Sequence, residues 1–383
     1  EQWYNSELGI FFSMNNVLKN LYPNELDSNV GADLEYITNM KFKEYKPITV
    51  TLLGEELEDI TDYSFKVKPT LNFIAPNKNK QFYFDSNNKL VKILLKAQNK
   101  FLIGSVINKI NKDLLRQAVV FYPKIIFIYR GTHIKSNAIQ KLKKALPECT
   151  LFGYNNDDPF SKGHPPWLWR QFLSAVPYYD IMFAYRKHNI DEFYTVGAKQ
   201  VELLMPWFIP EKDKPIETGS VDFKYDVVFV GHYEDDGRLE YLEEICKSGY
   251  NLGLFGPPNE WDHLLKESKE LKHLSPVRLV WNDEYNKVIC SAKIALCFFS
   301  KLNRDTYTRR CFEIPAIGTM LLSEYSDDLA SIYKAGIEAD FFKNKDEMIQ
   351  KIGRYSSDEV LRNTVALNGN QRVINDGHDI QAR

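Results

Sequence analysis

The chain has 383 residues, of which 44% are hydrophobic and 14% aromatic, enough to bury the cores of two domains. Its formal net charge of −2 offers no electrostatic case for nucleic acid as the main ligand. No apolar run approaches the roughly 20 residues that span a bilayer, and no secretory signal is visible.

The first 90 or so residues are the least legible. Residues 48–53 (I-T-V-T-L-L) and 71–74 read as strands, and 3–22 as partly helical. From residue 125 onward short apolar runs alternate with helical patterns. Residues 125–129 (I-I-F-I-Y), 151–154, 181–185 and 201–204 read as strands, with helices over 137–146 and 191–196. Residues 210–219 (P-E-K-D-K-P-I-E-T-G) are polar, carry two prolines and form the best linker in the chain. A second series follows, with strands at 227–230, 252–255, 294–299 and 320–323 and helices at 239–245, 285–292 and 305–313. Strands alternating with helices imply parallel sheets that bind ligands at their C-terminal ends. The expected boundaries are 1–210 for a first domain, 211–219 for a linker, 220–365 for a second domain and 366–383 for a tail that packs back on the first.

The five cysteines (Cys149, Cys246, Cys290, Cys297 and Cys311) are scattered, odd in number and free of any C-x-x-C pair. Buried free thiols and a cytoplasmic protein are therefore expected. The chain opens on Glu1 rather than Met, which leaves room for a leader or a further domain upstream.

Residues 305–323 (D-T-Y-T-R-R-C-F-E-I-P-A-I-G-T-M-L-L-S) carry the densest chemistry. Asp305 and Glu313 bracket Arg309 and Arg310, and a Pro-Ala-x-Gly turn leads into a buried strand. An ionised carboxylate can accept hydrogen bonds from both hydroxyls of a ribose, each worth roughly 1.5–3 kcal/mol. Arginines and helix N-termini are the usual partners of phosphates. The competing reading is an amphipathic helix with Glu313 and the arginines on its wet face. The pattern R-x-F-E-I-P-A-x-G resembles the CgeB-like (spore-maturation-type) glycosyltransferases. The V-G-x(6)-R run from Val230 to Arg238, the D-D-P turn at Asp157-Asp158-Pro159 and E-Y-N-K-V at 284–288 are similar to that family too. The resemblance covers roughly residue 89 to the C-terminus and is most specific from 227 to 342.

The resemblance implies an α/β protein of GT-B architecture, two Rossmann-like domains facing each other across a cleft. It would move a sugar from a nucleoside diphosphate sugar, by frequency a UDP-sugar, to an acceptor hydroxyl on a glycan, a protein or a small molecule. Glu313 would hold the ribose. Arg238, Arg310 and Lys301 would face the diphosphate, with Gly231 and Gly256 letting backbone approach the nucleotide and His232 touching sugar or phosphate. Asp305 would orient the donor or, equally, cap the helix. Pro257, Pro258 and Trp261 would wall the base, although a tryptophan after a Gly-Pro turn is more often core, and Ser300 and Arg304 share the loop with Lys301. In the first domain Asp158, Asp157 or His133 would take the acceptor proton. His133 has the more suitable pKa, and the two aspartates read more readily as a proline-led Asx turn. Lys187, His188, His164, Trp167, Trp169 and Tyr178 are secondary candidates.

No H-E-x-x-H, cysteine–histidine ligand pattern or D-x-D run is present, so neither a metal nor another cofactor is expected. The absence of G-x-x-x-x-G-K-[ST] and of G-x-G-x-x-G excludes P-loop and dinucleotide enzymes. Two rival functions remain at this point: a nucleotide-sugar epimerase or hydrolase of the same fold, and a catalytically silent GT-B module that binds a glycan or a partner. On the transferase reading, Glu313→Ala weakens nucleotide binding and leaves thermal stability nearly unchanged.

Overall fold

The computed structural model describes residues 49–52, 86–216 and 223–383. The expected strand at 71–74 and the helical stretch at 3–22 lie outside the described residues. The chain divides into two compact units, Glu1–Met205 and Pro206–Arg383.

Among the described residues the first unit holds five parallel strands in chain order: β1 (Thr49–Leu52), β2 (Ile125–Tyr129), β3 (Thr150–Asn155), β4 (Ile181–Ala184) and β5 (Val201–Leu203). Every residue of β2 is buried, as expected of a parallel strand covered on both faces. Its helices are α1 (Lys89–Phe101), α2 (Ser105–Phe121), α3 (Ser136–Ala145), α4 (Arg170–Ala175) and α5 (Lys187–Thr195). Ile107 and Leu114 of α2, Ile139 and Leu142 of α3 and Phe172 of α4 pack with Ile126, Ile128 and Leu151 into one core. Each such side chain contributes about 1.5–3 kcal/mol through burial.

The second unit has strands β6 (Tyr225–Val230), β7 (Leu252–Phe255), β8 (Ala292–Cys297), β9 (Met320–Glu324) and β10 (Asp340–Phe342), parallel in the order β10-β9-β8-β6-β7. The chain runs from β6 outward to β7 and then crosses back to β8, so the order reverses between β6 and β8. Ligands of open parallel sheets bind outside the strand ends at such a point. The helices are α6 (Arg238–Lys247), α7 (Pro258–Glu267), α8 (Asn282–Cys290), α9 (Arg310–Ile317), α10 (Asp327–Ala330), α11 (Lys345–Ser357) and α12 (Glu359–Asn375).

The expected helix over 305–313 needs correction. Residues 300–305 form a turn in which the Asp305 N–H donates to the Ser300 carbonyl at 2.9 Å and Arg304 adopts φ 49°. Helix α9 starts only at Arg310, with Arg309 at its N-cap position, so Asp305 does not cap it. Pro315 inside α9 denies a hydrogen bond to the Cys311 carbonyl one turn back. The buried Tyr333 hydroxyl donates to that carbonyl at 2.7 Å instead. Gly318 ends the helix at φ 88°, the left-handed cap that glycine accepts without strain. Asn370 of α12 donates to the Pro315 and Ala316 carbonyls at 2.9 and 3.0 Å. The P-A-x-G part of the motif is thus a helix end fixed from two sides.

The segment 206–216 belongs to the second unit. Asp213 closes a turn by accepting from the Ile209 N–H at 2.7 Å, and the buried Asn286 of α8 donates to the Lys212 and Lys214 carbonyls. The C-terminal tail bridges to Phe208, and its His378 ring lies 5.3 Å from Phe312 of α9. All five cysteines are free; Cys149, Cys297 and Cys311 are buried, and burial pushes the Cys149 thiol up to about 12. Among the described residues no helix is long and apolar enough to cross a membrane.

Candidate functional site

The C-terminal edge of the second sheet is built on two glycines. The Gly231 N–H, just past β6, donates to the Phe255 carbonyl at 2.9 Å. The Gly231 carbonyl accepts from the buried Trp261 Nε1 at 2.9 Å. A Cβ at Gly256 would lie 2.3 Å from the Gly231 oxygen and 2.6 Å from Trp261 Nε1, so only glycine fits there. Trp261 is therefore a buried brace beneath both loops, not an open wall for a base. A Cβ at Gly231 would lie 3.3 Å from Arg310 Nη2, which places that guanidinium directly beside the bare backbone.

Arg238 is engaged differently from the expectation. It is 5% exposed. Its Nε and Nη2 bond Asp236 at 2.8 and 2.6 Å, its Nη1 donates to the His232 carbonyl at 2.6 Å, and its Nη2 reaches the Phe299 carbonyl at 3.4 Å. Burial opposes its charge, but Asp236, Glu234 and Glu324 outweigh it and raise its pKa. Arg238 thus ties the loop after β6 to the loop after β8 across the switch point. The exposed His232 ring lies 3.0 Å from Glu260 of α7.

In the loop after β8, the Lys301 ammonium pairs with Glu324 at 2.8 Å while its N–H donates to Glu234 at 3.1 Å. This pair is half-exposed, so it is weak and open to exchange. Glu313, by contrast, is 3% exposed and does not sit on a wet face. Its Oε1 lies 2.5 Å from Arg309 Nε, and its Oε2 accepts from the Tyr285 hydroxyl at 3.3 Å. Arg309 also faces Asp213 at 3.5 Å. Burial, then the Glu313 charge, pushes the Asp213 carboxyl up to about 6 against the pull of Arg309. The same two influences hold the Tyr285 phenol protonated far beyond neutrality. Asp213 went unrecognised as a member of this cluster because it reads as linker and its partner Arg309 lies far along the chain.

Arg310 is the exception among these cations. Arg238, Lys301 and Arg309 each have a carboxylate, whereas Arg310 forms no ion pair among the described residues. It is half-buried at the N-terminus of α9, over Gly231 and on the switch-point side of the sheet. An arginine held there without a counter-ion is ready for an anionic ligand. Among the described residues no group of three histidine, cysteine or acidic side chains is arranged to hold a metal ion.

In the first unit the candidates divide into two places. Asp157 and Asp158 follow β3. Asp157 pairs with Arg130 at 2.5 Å and has a side chain 22% exposed. Asp158 is fully buried: its Oδ1 accepts from the Phe160 N–H at 2.9 Å and from Asn189 at 3.1 Å, and its Oδ2 lies 3.5 Å from His188 Nε2. His133 is elsewhere, with Nδ1 3.0 Å from Thr132 Oγ1 and Nε2 2.8 Å from Asn99 Oδ1 of α1. Trp169 is buried against His164 and under the Arg130 guanidinium, while Trp167 meets Phe101.

A family model described as glycosyl transferase-like matches residues 238–383. The chain carries a glycosyltransferase domain. Among curated proteins none matches the sequence. Solved structures match nearly the whole chain in fold. HepE from Anabaena, in complex with UDP and glucose, is 10% identical with a TM-score of 0.61, over 88% of this chain and 96% of its own. A glycosyltransferase from Rickettsia africae is 12% identical with a TM-score of 0.55, over 88% and 96%. Sucrose-phosphate synthase from Thermosynechococcus elongatus is 11% identical with a TM-score of 0.53, over 72% and 75%. The fold is that of the GT-B glycosyltransferases: two Rossmann-like α/β units.

Proposed function

We propose that the protein transfers a sugar from a nucleoside diphosphate sugar to an acceptor hydroxyl, without a metal, as a cytoplasmic member of the CgeB-like glycosyltransferases. The observation that carries this reading is Arg310, without a carboxylate partner among the described residues and set beside the Gly231 backbone at the switch point of the second sheet. A diphosphate placed there meets one guanidinium beside a residue that carries no side chain of its own. As the glycosidic bond breaks, negative charge grows on the leaving diphosphate, and Arg310 stabilises it. Lys301 joins when its exposed bond to Glu324 opens. Glu313, paired with Arg309, accepts from the ribose hydroxyls, and Asp305 orients the donor sugar. Arg238 acts by holding the two loops in register. UDP is the preferred nucleotide; this rests on the complexes of HepE, which contain UDP or UDP-glucose.

For the acceptor proton, Asp157 is better suited than Asp158, because its side chain is partly exposed while Asp158 is spent on its own turn and on Asn189. His133 has both ring nitrogens engaged by Thr132 and Asn99. The test is calorimetry with UDP, GDP, ADP, CMP and dTDP, each with and without EDTA. Micromolar binding of UDP that EDTA does not change supports the reading. Failure of all five to bind contradicts it and favours a silent module.

A further inference from the structure

Helix α1 has an apolar face that the core formed by the described residues does not use. Asn88 caps it, accepting from the Leu90 and Val91 N–H groups at 3.0 and 3.3 Å. One face holds it to the first unit. Leu95 packs on the core and Leu102, just past the helix, is buried. Asn99 meets His133, and Gln98 accepts from the Val106 N–H at 2.9 Å. Leu90, Ile93, Leu94, Ala97 and Phe101 follow helical spacing along a different face. Leu90, Ile93, Leu94 and Phe101 are 73%, 62%, 63% and 42% exposed. Phe101 extends the stripe to Trp167, with ring centroids 5.5 Å apart. Beside it runs a row of exposed lysines, Lys89, Lys92, Lys96 and Lys100, with no acidic residue anywhere in the helix. Single exposed apolar side chains need no explanation, but a contiguous stripe does.

We propose that α1 is a docking face for the surface of an anionic phospholipid bilayer. The charge decides between occupants. A lysine row flanking an apolar stripe matches a layer whose acyl chains lie below negatively charged headgroups, with the helix lying in the plane of the interface. The aromatic pair at its C-terminal end suits the same headgroup level. A protein partner would have to supply both a greasy groove and a run of acids in register. This inference concerns the first unit and stands independently of the donor reading.

The experiment is co-sedimentation of the full chain with vesicles of phosphatidylcholine alone and of phosphatidylcholine mixed with phosphatidylglycerol. The proposal predicts retention on the mixed vesicles, at least tenfold above the neutral ones, that falls as salt rises. Replacing Lys89 and Lys96 together by Gln lowers partition about fivefold per charge removed. Replacing Leu90 and Leu94 together by Gln abolishes retention while the melting temperature stays at the wild-type value, since both side chains are exposed. Three results overturn it: no retention of the wild type on either vesicle, equal retention on both, or equal retention of the leucine variant. Sedimentation velocity without lipid adds a fourth. A wild-type dimer that the leucine variant converts to monomer makes a second copy, not a bilayer, the occupant of this face.

Discussion

Arg238→Ala separates two roles that sequence alone leaves open. If Arg238 is the clamp across the switch point, removing it breaks the bonds to Asp236, to the His232 carbonyl and to the Phe299 carbonyl together. It also leaves the Asp236 carboxylate, 7% exposed, without its close cation. Removing one partner of a buried pair costs about 3–5 kcal/mol. In a unit of this size each kcal/mol lowers the melting temperature by about 2–4 °C, so a drop of about 10 °C is expected. The assay is thermal unfolding of wild type and variant, followed by UDP titration well below the variant's melting point. Weaker binding accompanied by that drop fits a clamp. A variant that melts with the wild type yet no longer binds nucleotide would refute the reasoning and return Arg238 to the diphosphate.

Glu313→Ala should cost about 2–4 kcal/mol of stability in chemical denaturation, because it strips the half-buried Arg309 of its nearest carboxylate. This corrects the expectation of unchanged stability drawn from the sequence, and an unchanged midpoint would mean that Asp213 alone suffices for Arg309. Gly256→Ala forces the loops after β6 and β7 apart, since the new methyl meets the Gly231 oxygen at 2.3 Å. A stability loss of about 1–3 kcal/mol and at least tenfold weaker UDP binding are expected; wild-type affinity by calorimetry would show that the loops can separate harmlessly. Asp213 supplies a pH test. Its folded pKa of about 6 lies above the ordinary 3.8, so the native state holds the extra proton and this group's contribution to stability falls as pH rises from about 4 to 6. Relative to Asp213→Asn, the wild type should lose about 1–3 kcal/mol across that window in pH-dependent melts. Parallel curves for the two proteins would remove Asp213 as the titrating group.

Much of the architecture was legible because parallel strands announce themselves. I-I-F-I-Y at 125–129, V-V-F-V at 227–230 and L-G-L-F at 252–255 are short apolar runs closed by polar or glycine residues, and all became strands. Helix ends were less legible. The start of α9 depends on the turn at 300–305, which hydrogen bonds within the loop stabilise and no periodicity records. In the candidate site, Gly231, Gly256 and Arg310 were found together at one sheet edge, as spacing after strands suggests. What spacing does not convey is pairing. Glu313 and Lys301 read as available charges, yet Tyr285 and Glu324, both distant in sequence, engage them. Asp213 shows the same limit, since a residue in a proline-flanked polar run gives no local sign of burial.

The most direct test of the donor site is UDP titration of wild type and Arg310→Gln by calorimetry, alongside their melting curves. Among the described residues Arg310 has no ion pair to lose, so the variant should melt with the wild type. Its UDP affinity should fall by about 2 kcal/mol, roughly thirtyfold, from a wild-type Kd on the order of micromolar. Equal affinity in the two proteins would place the diphosphate away from the switch point and contradict the account.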